Sequence, residues 1–136
     1  MSIKSFILFS ILTVAVLSCN ESQIKPDESL VEAVSGIWQG MIPCADCPGI
    51  EYKLELKSDQ TYVEQSIYMG EDTEPFVKKD RWEISKDSII TLTKERSGMK
   101  YFKFTGETIR MLDAQKHPII SELAEFYILE RKTSNN

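Results

Sequence analysis

Histidine is nearly missing from these 136 residues: there is one, His117. Nucleophile–imidazole couples and His-rich metal sites need more than that, and a histidine directly before Pro118 in a turn-forming stretch reads as a solvated turn residue. Glycine is scarce as well, at 6. None of the glycines builds a Gly-x-Ser-x-Gly elbow or a phosphate-cradling loop, and HExxH does not occur either. The acids Glu51, Glu55, Glu71, Asp72 and Glu74 fall on a solvent-facing strand surface or in a loop, where charge solubilises rather than catalyses. No enzyme is expected. Runs of basic residues are also lacking: 16 Lys and Arg stand against 21 Asp and Glu, with a net charge of −5, which leaves no electrostatic footprint for nucleic acid. One long apolar run exists, from Phe6 to Leu17, broken only by Ser10 and Thr13. It is shorter than the roughly 20 residues that cross about 30 Å of hydrocarbon.

That run has another reading. Lys4 supplies a positive start, the apolar stretch follows, and Ser18 is a small residue at a plausible cleavage point, the pattern of an export signal over residues 1–18. Val16-Leu17-Ser18-Cys19 then resembles a bacterial lipobox, in which the cysteine thiol takes a diacylglycerol and becomes the first mature residue; ordinary secretion is the alternative. Two or three acyl chains at about 0.8 kcal/mol per buried CH₂ hold a protein on its membrane, where one myristoyl chain does so only marginally. Cys19 is therefore the expected lipidation site. Asn20 and Glu21 offer no aspartate at the second mature position, so the outer membrane of a bacterial cell envelope is the expected destination. Removing residues 1–18 of the 136 leaves 118, enough for one domain. Residues 19–35 are polar and acidic, broken by Pro26 and Asp27-Glu28-Ser29, and read as a tether; a short helix around 30–34, or packing of a few of its residues on the domain, is the alternative. Residues 132–136 form a tail.

From Gly36 onward the dominant period is two. In Ile50-Glu51-Tyr52-Lys53-Leu54-Glu55-Leu56-Lys57 every second residue is apolar and the alternate ones are charged, which is a half-buried strand. Ser58-Asp59-Gln60 offers a turn and a β-branched, aromatic run returns over 61–69, a hairpin pattern. Further strands are expected at 36–43, 77–84, 88–94, 99–105, 108–113 and 125–131. Connections this short leave no room for crossover helices, so the expectation is all-β: a small antiparallel up-and-down barrel of about eight strands, lipocalin-like, over residues 36–131. A barrel of that size holds its own side chains or one small ligand. Trp38, Tyr52, Tyr62, Trp82, Phe102, Phe104 and Phe126 are the expected filling, with a carrier of a small apolar molecule as the alternative. A third function class, a protein-interaction module, would use the acidic loop Glu71 to Pro75.

Chemistry concentrates in Pro43-Cys44-Ala45-Asp46-Cys47-Pro48-Gly49. Two thiols at that spacing form a disulfide, a soft-metal site or a redox centre. A thioredoxin-like centre needs a stabilised thiolate, commonly at a helix N-terminus, whereas here Pro48-Gly49 leads straight into a strand and Asp46 lies between the thiols. Zinc wants four ligands and finds too few. Two readings stay open: a disulfide that staples the loop in an oxidising compartment, and, when reduced, a Cu(I) site with Met41, Met69 or Met99 assisting. Nothing requires a cofactor, and copper is the one candidate.

The same residues carry a family resemblance. Gly36-Ile37-Trp38-Gln39-Gly40 followed by Ile42-Pro43-Cys44-Ala45-Asp46-Cys47-Pro48-Gly49-Ile50 resembles the signature of the NlpE N-terminal domain, and weaker matches run on in order through Asp59-Gln60-Thr61-Tyr62, Trp82, Tyr101-Phe102, Met111-Leu112-Asp113, Pro118-Ile119 and Tyr127-Ile128-Leu129. The resemblance implies a lipocalin-like barrel on an outer-membrane lipid anchor, copper resistance or homeostasis, and activation of an envelope stress response, with a membrane-bound stress-response sensor as partner. Glycines of the family pattern are replaced at Gln60, at Asp80-Arg81 and near Lys116-His117, which puts each local turn in question because positive φ is uncommon outside glycine. The second, OB-like domain of full-length relatives, with its own cysteine pair, is not expected in this chain, and roles that depend on it do not carry over.

Overall fold

Alternation along the chain decides which side chains go inside. In the computed structural model, which describes residues 27–70, 74–93 and 98–133, Tyr52, Leu54 and Leu56 point into the core while Glu51 lies exposed and Lys53 and Glu55 half-exposed between them. Eight such segments pair antiparallel in chain order: β1 Gly36–Ile42, β2 Ile50–Leu56, β3 Thr61–Tyr68, β4 Phe76–Ile84, β5 Ile89–Leu92, β6 Lys100–Phe104, β7 Thr108–Leu112 and β8 Ile128–Arg131. β8 returns to β1 and closes the barrel. The expected up-and-down barrel is the observed one. The β1–β2 ladder runs its full length from Gly36↔Leu56 to Ile42↔Ile50. The closing seam is short, with Trp38↔Arg131 and Gln39↔Glu130 in register.

Trp38, Tyr52, Tyr62, Trp82 and Phe102 fill the interior as expected, together with Leu54, Leu56, Ile90, Leu92, Ile109 and Leu129. The indoles find backbone partners, Trp38 donating to Val34 O at 2.9 Å and Trp82 to Lys57 O at 3.0 Å, so burial leaves neither N–H stranded. Phe104 is half-buried, edge-on to Trp38 at 6.0 Å between centroids. Phe126 does not join the filling: it is 53% exposed. The reason is local, because the strand expected over 125–131 begins only at Ile128 and is preceded by a 3₁₀ turn, Ala124–Tyr127, that carries Phe126 outside the barrel.

The two ends of the barrel differ. Tight turns join β2 to β3, β4 to β5 and β6 to β7 at one end, while the longer connections, among them residues 43–49 and 113–127, gather at the other. The tight-turn end is covered by a helix, α1 Glu28–Val34, capped by the Asp27 carboxylate accepting from Ser29 N at 3.1 Å. Val31 and Val34 of α1 enter the core. Arg131 donates to Ser35 O at 2.7 Å and Ala33 O at 2.5 Å, and its guanidinium lies 4.2 Å from the Trp38 ring centroid. Of the readings left open for residues 19–35, the short helix packed on the domain is the one observed, over residues 27–35, since two valines of one helical face have a core to enter. Residues 1–26, with the signal segment and Cys19, lie outside the described residues, as do 134–136 of the tail.

The replaced glycines resolve individually. Gln60 and Lys116 keep left-handed backbones, with φ of 62° and 66°. Neighbouring aspartates support both turns. Asp59 Oδ1 accepts from Thr61 N at 2.9 Å, and Asp113 Oδ1 accepts from Gln115 N at 2.9 Å and His117 N at 2.8 Å, side-chain bonds that hold the turn where glycine would relieve it. Asp80 and Arg81 instead continue β4, opposite Tyr62 and Thr61. His117 is exposed in its turn, as expected.

Candidate functional site

The cysteine loop leaves β1 at Ile42 and enters β2 at Ile50, at the end of the barrel where the long connections gather. It contains bends and no helix. Cys44 and Cys47 are joined as a disulfide across a Cα–Cα distance of 5.3 Å, so of the open readings the staple is the one observed. Both cysteines are half-buried. The loop is pinned at its far end: Gly49 O accepts from Met69 N at 2.9 Å and lies 3.3 Å from Cys47 Sγ. Gly49 is buried, and a Cβ there would stand 2.9 Å from Met41 Sδ, so glycine is what lets the Met41 side chain lie against the loop. Pro48 approaches the next connection, where a Cβ on Gly70 would be 3.6 Å from its Cδ. On the other side Pro43, Cys44 and Pro48 share a recess of about 190 Å³ with Met41, Ile42, Leu123 and Phe126. Asp46 is exposed at the loop tip.

Of the three methionines considered as sulfur donors, Met41 lays its thioether against the loop, while Met69 meets it through its backbone N–H. Met99 is engaged at the start of β6, where its Sδ accepts from Tyr101 OH at 3.4 Å. Among the described residues no cluster of three or more His, Cys, Asp or Glu side chains forms a metal site. The donors that fit a soft ion are two thiolates, once the disulfide is reduced, and the Met41 thioether, which lies against Gly49 of the same loop. An oxidised pair offers no thiolate.

A second polar centre escaped the sequence reading. Glu64 of β3 is only 2% exposed. Its Oε1 accepts from Tyr52 OH at 2.8 Å and from the Lys100 ammonium, which also lies 5.0 Å from the Tyr52 ring centroid. Burial, reinforced by the Glu64 carboxylate, holds the Tyr52 phenol well above its ordinary pKa. These groups form the floor of a cavity of about 320 Å³ at the barrel mouth, walled by Ile42, Ile50, Ser66, Tyr68, Phe76 and Lys78. The signal lay in the sequence: in Tyr62-Val63-Glu64-Gln65-Ser66-Ile67-Tyr68 the period of two puts Glu64 on the inward face with Tyr62. Below this mouth the interior is filled by aromatic and aliphatic side chains. The interior is filled as expected, and the space left for a ligand lies at the mouth and is lined by charged as well as apolar side chains. The acidic loop Glu71 to Pro75 falls largely outside the described residues, with Glu74 and Pro75 exposed.

Comparison with known proteins follows the same segment. Residues 38–122 match the NlpE N-terminal domain. Lipoprotein NlpE of Escherichia coli strain K12 is 36% identical over 100 residues, covering 72% of this chain and 41% of its own length. The 17 kDa lipoprotein of Treponema pallidum strain Nichols is 25% identical over 107 residues, covering 71% of this chain and 69% of its own. Among solved structures, a Shewanella oneidensis chain described as a lipoprotein superposes with a TM-score of 0.66 at 29% identity, over 79% of this chain and 96% of that one. The Escherichia coli Cpx pathway activator NlpE superposes with a TM-score of 0.57 at 35% identity, over 64% of this chain and 46% of that one. The chain spans less than half the length of the Escherichia coli relative. Sequence match and superposition agree on one domain, and the chain belongs to the NlpE N-terminal domain family.

Proposed function

We propose that the protein is a non-catalytic envelope lipoprotein, anchored through Cys19 to the outer membrane, that acts in envelope stress sensing and copper homeostasis through the loop at residues 43–49. The observation that carries this reading is the barrel shared with a protein described as a Cpx pathway activator, at 35% identity. Lipoprotein names recur among the relatives, which supports the anchor. The Cys44–Cys47 pair supports the copper role in a restricted form. As a disulfide it staples the loop; as a dithiol it supplies two soft ligands in the loop against which the Met41 thioether lies, a set suited to Cu(I). Pairing with a membrane-bound stress-response sensor follows from the likeness to the activator and rests on it alone.

The anchor is tested by growing cells with labelled palmitate. The wild-type chain takes up label and fractionates with outer membrane, whereas Cys19→Ser does neither. Labelling that persists in Cys19→Ser, or a wild-type chain found wholly in the soluble fraction, overturns the anchored reading. Stress sensing is tested by following a stress-response reporter as the chain is overproduced. Induction by wild type and not by Cys19→Ser is expected, and a reporter that ignores the chain contradicts the role.

A further inference from the structure

We propose that the cavity at the barrel mouth is a binding site for a small amphipathic carboxylate, its anionic head held by Lys78 and Lys100 and its short apolar body lying against Ile42, Ile50 and Phe76. The volume of about 320 Å³ lies within the span of small-ligand sites, roughly 300–1,000 Å³. Its ionisable lining holds two lysines against one glutamate, so a cationic head would be opposed and a neutral one would leave the ammonium groups unused. Glu64 is already an acceptor for Tyr52 and Lys100. That pairing holds the Lys100 side chain at the floor, yet it remains 33% exposed, and an ammonium has three donors, of which Glu64 takes one. Lys78 makes no ion pair among the described residues and stands on the wall of the same cavity, in register with Glu64 on the neighbouring strand. Ser66 and Tyr68 add hydroxyls that can donate to a carboxylate.

The walls supply the other half of an amphipathic site. Phe76 is 61% exposed and packs edge-on against Tyr68 at 6.0 Å between centroids, so an aromatic face lines the rim where an alkyl or aryl body would rest. A buried ion pair contributes little net stability, because desolvating both charges offsets their attraction. Glu64, Lys100 and Tyr52 in an otherwise apolar interior are therefore explained better by what they present to the cavity than by what they add to folding.

The test is isothermal titration of the purified full chain, in a non-ionic detergent, with hexanoate, hexan-1-ol and hexylamine, three probes of one length that differ in head group. Hexanoate is expected to bind at least about tenfold more tightly than either of the others, since each factor of ten corresponds to one modest charge-assisted contact. Lys78→Met weakens hexanoate by about tenfold, Lys78→Arg retains most of the affinity, and Lys57→Met, at the opposite end of the barrel, changes nothing. Lys78 is exposed, so these variants fold. Equal affinities for the three probes, hexanoate binding unaffected by Lys78→Met, or no heat with hexanoate at millimolar concentration would each overturn the assignment.

Discussion

Glu64 shows how one residue departs from the pattern around it. Strand β3 places it inward by the period of two, where an apolar residue would add stability at no electrostatic cost. Its partners make the position tolerable: Tyr52 and Lys100 both donate to Oε1. Removing one partner of such a pair costs more than removing both. Lys100→Met is expected to lower stability by about 1–3 kcal/mol, less than a fully buried pair because Lys100 is partly exposed, and Glu64→Gln in that background recovers part of the loss. Urea denaturation of the two variants against wild type checks the order. A Glu64→Gln, Lys100→Met double variant less stable than Lys100→Met alone contradicts it.

Tyr62 gives a pH dependence at the same scale. Burial, with Glu64 and Asp80 nearby, pushes its phenol from 10.0 up to about 12. The folded state then holds this proton more tightly than the unfolded chain. The stabilisation is complete below the unfolded value and is lost as pH rises through the folded one, so stability falls between pH 10 and pH 12. One such proton gives a slope of up to about 1.4 kcal/mol per pH unit, and Tyr62→Phe removes that share of the slope. Denaturation midpoints followed above pH 10 measure it; an unchanged slope in Tyr62→Phe contradicts the assignment. Gln60 and Lys116 could be singled out from the chain as replaced glycines, but the chain did not show that they keep the left-handed backbone. Their side chains give no hint of positive φ, and the stabilising acceptors, Asp59 and Asp113, declare themselves only once the turn is formed.

Among the elements, strands could be read directly, whereas α1 could be read only as one of two alternatives and the 3₁₀ turn not at all. Eight period-two runs separated by turn residues are redundant signals, each checked by its neighbour's pairing, and all eight strands lie within a few residues of expectation. α1 is seven residues long, less than two turns, so periodicity could not distinguish it from a tether. It is held by what it touches, since isolated helices this short are unstable in water. The same limit hid the 3₁₀ turn at Ala124–Tyr127, which truncated the last expected strand and displaced Phe126. Arg131 fastens α1 by donating to the carbonyls of Ala33, in its last turn, and of Ser35, its C-cap. Arg131→Lys keeps the charge but loses the two-pronged geometry. Amides of α1 are expected to exchange faster in that variant by about tenfold, while those of β2 and β3 hold their rates. Uniform acceleration across the barrel, or none in α1, contradicts a local fastening.

For the whole molecule, the arrangement separates an end closed by α1 and tight turns from an end that carries the long connections. α1 and the tight turns close one end; the cysteine loop and the charged cavity share the other. The family was legible because the Pro-Cys-x-x-Cys loop is contiguous in sequence, whereas the cavity was not, because Tyr52, Glu64 and Lys100 meet only when three strands close. The disulfide spans a sequence separation of 3, a loop so short that reduction is expected to cost only about 2 kcal/mol on the chain-entropy account. The barrel is built from the aromatic core and its ladders, so it remains folded with its thiols free. Retained near-ultraviolet circular dichroism after mild reduction is the expected observation, and loss of that signal contradicts it.

The copper claim is tested most directly by Cu(I) stoichiometry on the purified chain before and after reduction, with competition against a chromogenic chelator. No uptake by the disulfide form is expected, with one Cu(I) per chain after reduction, weaker binding in Met41→Leu, and none in Cys44→Ser. Equal uptake by oxidised and reduced protein, or none by the reduced protein, would contradict it.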